Sequence, residues 1–142
     1  MRLVRINERL AVSEQISPRN IAPLARAGYT AIINNRPDRE ALLQPGADAI
    51  AAAASREGLA CIHLPVTGPD ITEETVRAFQ QALAASSGPV LAFCRTGARS
   101  LILWAIGEVL DGRMRKEDLI PFGAERGFDL SRAVDWLTAH GR

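Results

Sequence analysis

The chain has 142 residues, 47% of them apolar and 23% charged, with 17 Lys+Arg against 16 Asp+Glu. That length suits a single domain, residues 1–142, which buries about two-thirds of the surface its extended chain would expose, and a second full domain would not fit. A net charge of +1 lacks the basic excess that nucleic acid or an anionic membrane asks of a partner. No apolar run approaches the ~18 residues of a spanning helix, and Arg2, Arg5, Glu8 and Arg9 rule out a signal peptide, so the expected compartment is the cytoplasm.

Residues 3–6 and 10–12 read as short strands around the polar turn Asn7-Glu8-Arg9. Ser17 and Pro18 form a helix N-cap and first-turn pair, and Gly28 ends that helix. Residues 30–33, 60–64 and 89–93 are strand-forming runs without polar alternation, as expected of strands buried on both faces. Between them, residues 47–57 are an alanine-rich helix closed by Gly58. Asp70, Thr72, Glu73 and Glu74 are the acidic, capped start of a helix that sets Val76, Phe79 and Leu83 on one face. A helix beginning near Ser100 is apolar on every side over 101–106 and belongs in the middle of the fold. From Arg115 onward two short covering helices are expected, with Trp136 and Leu137 as packing residues. Strands alternating with helices predict right-handed crossovers in a three-layer α/β domain, with a mainly parallel sheet of about five strands.

The chemistry is concentrated in Phe93-Cys94-Arg95-Thr96-Gly97-Ala98-Arg99-Ser100. This segment turns from a buried strand into a buried helix at the carboxyl edge of the sheet, where open α/β sheets bind ligands. Successive N–H groups of such a turn can form an anion-binding nest backed by the positive end of the helix. Cys94 at the first position faces that field, which favours the thiolate and makes it a nucleophile. Arg95, Thr96, Gly97 and Ala98 then form the anion-binding loop, Arg99 offers a planar fork to an oxyanion, and Ser100 can donate to the thiolate when it leaves.

Cys-x4-Arg-Ser in a strand–loop–helix turn resembles the active-site loop shared by cysteine-dependent phosphatases and rhodanese-type sulfurtransferases. With 11–16 (AVSEQI), 33–40 (INNRPDRE) and 63–66 (HLPV), the chain is similar to the bacterial beta-lactamase-hydrolase-like, phosphatase-like family, also described as a sulfur transferase/phosphatase family. The resemblance implies a dual-specificity-phosphatase-like fold with Cys94 as nucleophile and Arg99 as oxyanion ligand. It also implies a sulfur-metabolism enzyme as a partner in trans, because relatives occur fused to metallo-hydrolase-like domains.

Two features depart from phosphatases. They place five residues between cysteine and arginine where this chain has four, Arg95 to Ala98, and a histidine where it has Phe93. Both departures resemble the rhodanese pattern Cys-Arg-x-Gly-x-Arg. One amide fewer makes a smaller cradle, less suited to a transferring phosphoryl group. The sequence therefore favours sulfur transfer, in which Cys94 takes the outer sulfur of thiosulfate or a persulfide and passes it to a thiol or cyanide. The alternative is phosphatase chemistry on a phosphate ester through a phosphocysteine. It needs a general acid, for which Asp70 is the first candidate and Asp38 the second. A third reading, from another class, is a silent anion- or phosphopeptide-binding module.

Arg36 and Asp38 follow a core strand at the same sheet edge and are candidates for the pocket rim, or, with Arg39 and Glu40, for exposed ion pairs. Cys61 is expected to be a buried apolar residue, with a redox partnership to Cys94 as the sharper alternative. His63 shares its strand face and reads as a satisfied polar residue. With His63 and His140 far apart and no Cys-x-x-Cys, neither a metal nor a cofactor is expected. Charge is unevenly spread: the 33 residues between Glu74 and Glu108 hold no carboxylate but contain Arg77, Arg95 and Arg99, so a small anion is the expected ligand.

Overall fold

Strand-forming apolar residues assemble a five-stranded sheet from β1 (Leu3–Arg5), β2 (Leu10–Ser13), β3 (Ala31–Asn34), β4 (Ala60–His63) and β5 (Val90–Phe93), in the order β1-β2-β5-β3-β4. The computed structural model describes residues 1–142. Only β1 runs antiparallel to its neighbour. In the parallel part, Ser13 and Asn34 both stand level with Phe93, and Asn34 with His63. Four strands thus end in one row, and the segments that leave them emerge side by side at the carboxyl edge.

Alternation along the strands feeds two cores. Leu10, Val12, Ala31, Ile33, Val90 and Ala92 pack against α3 (Glu73–Ala85), α4 (Ala98–Leu110), α5 (Leu119–Glu125) and α6 (Ser131–Ala139). Ala11, Ile32, Leu91 and Phe93 face the other way, onto α1 (Ile21–Arg26) and α2 (Ala47–Arg56). This is the expected three-layer α/β arrangement with its five-stranded, mainly parallel sheet. Helix α4 is buried at every position from Ser100 to Gly107, because it lies between the sheet and α3 and α6. No helix is long and apolar enough to cross a membrane.

Several local expectations are corrected. Ser17 and Pro18 open a 3-10 turn, Pro18–Asn20, before α1; the Ser17 N–H donates to Asn20 Oδ1 at 2.8 Å. Strand β4 is not buried on both faces: it is the sheet edge, with Ala60 and His63 exposed and Cys61 half-buried, since no strand covers its outer side. Thr72, not Asp70, caps α3, its Oγ1 accepting the Thr75 N–H at 3.2 Å. Helix α4 begins at Ala98, two residues before Ser100, because Gly97 already makes the turn.

Candidate active site

Cys94 follows β5, the central strand, and the loop after it turns at Gly97, whose φ is +100°. Glycine takes that left-handed backbone without strain. A Cβ there would also sit 3.2 Å from Phe128 Cζ and 3.3 Å from the Ser13 carbonyl. The turn aims the Gly97 N–H at Cys94 Sγ, 3.1 Å away, which supports negative charge on sulfur. Cys94 is fully buried at the base of that loop. The Ala98 N–H is taken by Thr96 Oγ1 at 3.2 Å. The amides of Arg99 and Ser100 lie in the first turn of α4, where N–H groups have no intrahelical partner.

The Arg99 guanidinium is held in place by segments leaving the neighbouring strands. Its Nη1 donates to Glu40 Oε2 (2.9 Å) and to the Val66 carbonyl (2.8 Å), and its Nη2 to Glu40 Oε1 (2.8 Å). Three of five donors are thereby used, leaving Nε–H and one Nη2 hydrogen, which point the same way as a two-pronged fork for an oxyanion. Glu40 Oε1 also accepts from Arg36 Nε at 2.9 Å, and Arg36 Nη1 donates to Gln15 Oε1 at 3.0 Å. The Arg99 hydrogen bond holds the Glu40 carboxyl below its ordinary range, against the opposing effect of burial, with Arg36 adding to it. Glu40 in turn pushes the Arg99 guanidinium upward, and the Cys94 sulfur contributes to that shift.

Asn35 ties the strand ends together. Its N–H donates to the Phe93 carbonyl (2.8 Å), its side-chain amide to the Leu64 carbonyl (3.0 Å), and its Oδ1 accepts the Ser100 hydroxyl (2.8 Å). The hydrogen of Ser100, expected at the thiolate, is therefore committed to Asn35, and Gly97 is the donor to sulfur.

The remaining candidates fall into three groups. Arg95 and Thr96 are exposed on the rim of the loop. Arg36 is buried and works behind the site, not on its rim. Asp38 is exposed and accepts the Ala47 N–H at 2.8 Å, so it starts α2 instead of pointing at sulfur. Asp70 is exposed in the 3-10 turn Gly68–Asp70, where its carboxylate accepts the Thr67 hydroxyl. Arg77, counted with the basic segment, pairs with Asp111 at 2.7 Å at the far end of α4. His63 Nε2 donates to the Arg36 carbonyl at 2.8 Å. Cys61 stands level with Leu91, two strands from β5 and three residues short of Cys94, a separation on the order of 14 Å. A direct disulfide does not span that distance, which removes the redox pairing; burial pushes the Cys61 thiol up. No three His, Cys, Asp or Glu side chains gather in a group that could hold a metal ion.

Ser13, Gln15, Asn35 and Val66 were not singled out from sequence, yet they build the walls. Their signal was present: each lies in one of the three stretches that carry the family resemblance, and in space these are the ends of β2, β3 and β4. The family model described as the beta-lactamase hydrolase-like protein, phosphatase-like domain matches residues 2–111. The chain belongs to that family. It is 51% identical over 137 residues to the beta-lactamase hydrolase-like protein of Xylella fastidiosa (strain 9a5c), which covers 96% of this chain and 32% of the relative. The chain thus spans about a third of the length of the curated relatives it matches. A candidate phosphatase (nma1982) of Neisseria meningitidis Z2491 superposes with a TM-score of 0.86 at 32% identity, over 98% of both chains. P. aeruginosa TpbA, in a variant solved in complex with pTyr, shares the fold at TM-score 0.70 and 18% identity, over 97% of this chain and 88% of its own. The family and these neighbours make this a phosphatase-like, cysteine-phosphatase-type fold.

Proposed function

We propose that the chain hydrolyses phosphate monoesters through a phosphocysteine at Cys94. The observation that carries this reading is the side-on fork that Arg99 keeps once Glu40 and Val66 have taken its other donors, next to a sulfur that already accepts a backbone N–H. Such a fork matches two oxygens of one tetrahedral anion, and it needs no reorganisation when charge develops there. The family and the phosphatase-like neighbours add to it, as does a relative of the same fold solved with phosphotyrosine. In this mechanism Sγ attacks phosphorus, the S–P bond forms as the ester P–O bond breaks, and Asp70 gives its proton to the leaving oxygen. Water then attacks the phosphocysteine, releasing phosphate and restoring the Cys94 thiolate. Arg99 and the first-turn amides of α4 hold the equatorial oxygens throughout.

A second reading, sulfur transfer, is favoured by the loop itself. Its four intervening residues supply few amides, and those of Gly97 and Ala98 are turned to Cys94 and Thr96. Here Sγ attacks the outer sulfur of thiosulfate, the S–S bond to sulfite breaks with its electron pair leaving on sulfite, and the persulfide sulfur passes to cyanide or a thiol. No acid is required. A sulfur-metabolism enzyme in trans would be its partner.

One preparation assayed for phosphotyrosine hydrolysis and thiosulfate:cyanide transfer, beside Cys94→Ser, separates the two. Phosphate release that falls on the order of 10³-fold or more in Cys94→Ser supports the phosphatase reading. Cys94-dependent thiocyanate formation, with one sulfur atom gained on the Cys94 peptide and no phosphate release, overturns it in favour of sulfur transfer. Neither activity leaves the silent binding module.

A further inference from the structure

Beyond the loop, an open pocket of about 470 Å³ is lined by Gly68, Pro69, Arg132, Asp135 and Trp136. Arg132 lies on the first turn of α6 and crosses to the Gly68–Asp70 turn: a Cβ built on Gly68 would collide with its Nη1. It has no ion-pair partner, and neither has Asp135, although the i,i+3 spacing lets such residues meet on a helix. The guanidinium is drawn over glycine instead, so two opposite charges stand apart at one pocket. Trp136 is fixed behind them, its Nε1 donating to the Ile71 carbonyl at 2.8 Å and its ring stacked on His140 at 3.7 Å.

The same segment touches both arginines. The Val66 carbonyl accepts from Arg99, and Gly68, two residues on, lies under Arg132, with Thr67 extended between them. At the rise of an extended chain, and with a side-chain contact at either end, the two guanidinium groups stand at most on the order of 10 Å apart. A tyrosine phosphate ester spans a comparable length from phosphorus to carboxylate.

We infer that the Arg132–Asp135 pocket receives the free α-amino-acid end of the substrate, Arg132 taking its carboxylate and Asp135 its ammonium, so that the enzyme prefers free phosphotyrosine to phosphotyrosine within a peptide. The inference rests on the phosphatase reading for the placement of phosphate at Arg99. A planar fork suits a carboxylate, and separated charges of both signs suit a zwitterion better than a second phosphate, which Asp135 and the neighbouring Asp70 repel. Pro69 and the edge of Trp136 provide apolar surface for the intervening ring.

The test is binding, measured by calorimetry with Cys94→Ser so that turnover does not intervene. The probes are phosphotyrosine, phosphotyramine, which lacks the carboxylate, and N-acetyl phosphotyrosine amide, which has neither end group free. Phosphotyrosine is expected to bind about ten-fold more tightly than phosphotyramine, and more tightly still than the blocked compound. In Arg132→Gln the ratio of phosphotyrosine to phosphotyramine affinity falls toward one. In Asp135→Asn that ratio persists while the preference over the blocked compound shrinks. Gly68→Ala, which displaces the guanidinium, moves the first ratio in the same direction as Arg132→Gln. Equal affinities for the three compounds, or a preference unchanged in Arg132→Gln, overturn the inference, as does failure of all three to bind. Selective binding without phosphate release by the unaltered protein leaves the pocket assignment standing and overturns the phosphatase reading alone.

Discussion

Beside the loop, Arg99, Arg36, Glu40 and Gln15 form one hydrogen-bonded chain with Arg36 buried, whereas around the Gly68–Asp70 turn Asp70, Arg132 and Asp135 are exposed and only Asp70 has a side-chain partner, Thr67. The first wall is anchored to the ends of β2, β3 and β4, and its arginines are held in place before any anion arrives, with Nε–H and one Nη2 hydrogen of Arg99 left over. The second wall is a 3-10 turn and the start of α6, joined by an arginine lying over a glycine and by the Trp136 hydrogen bond to the Ile71 carbonyl. Charge stabilisation requires the fixed wall, since donors that must reorganise lose much of their benefit. Leaving-group protonation and substrate selection tolerate an adjustable one, and those are the roles proposed for Asp70 and Arg132.

Four experiments break or sharpen that contrast. The largest effect is expected from Asp70→Asn on the open wall: kcat for phenyl phosphate, a poor leaving group, falls about 10²-fold, and that for 4-nitrophenyl phosphate far less. Equal losses on both esters would remove Asp70 as the acid. On the fixed wall, Glu40→Gln withdraws the charge shared by Arg99 and Arg36. It should lower kcat/KM on the order of ten-fold, and stability in urea by about 2 kcal/mol, because the buried Arg36 loses its counter-charge. A stability loss with unchanged kcat/KM would show that Arg99 needs no support.

Gly97→Ala introduces a side chain at φ +100°, close to Phe128 and to the Ser13 carbonyl. The expected cost is about 1–2 kcal/mol, read as a lower urea midpoint, together with slower alkylation of Cys94 if the loop closes more tightly. The smallest effect is in pH. The Glu40 carboxyl is held low in the folded chain, so the stability it contributes is complete above the ordinary carboxylate value of about 4.3 and is lost as pH falls through the lowered one. Thermal melts should show a component of acid destabilisation below about pH 4 that is missing from Glu40→Gln. Identical acid limbs in the two proteins would contradict the assignment.

The layer arrangement was legible in the sequence because strands buried on both faces leave unbroken apolar runs, and a central helix such as α4 is apolar all round. Edge position was not legible: residues 60–64 read like a central strand, and only the strand order places β4 at the margin. The loop from Cys94 to Arg99 was equally plain, since glycine, arginine and cysteine at fixed spacing meet the needs of a local turn. The partners of that loop were not, because they come from far along the chain.

What the sequence determined by itself is thus what local chemistry can encode: a small α/β fold, a candidate cysteine nucleophile, and a net charge that disfavours polyanions as partners. The tertiary structure decided how those charges are spent. It sends Arg77 to the far end of α4 and neutralises Arg99 with Glu40, which leaves Arg95 as the unpaired cation of the basic segment. It also pairs Ser100 with Asn35 and Asp38 with the first N–H of α2, partners that residue type alone did not reveal. The reason is physical. Backbone turns depend on neighbours in sequence, whereas a hydrogen bond or ion pair depends on which strands end side by side, and here four parallel strands bring Ser13, Asn34, His63 and Phe93 into one row.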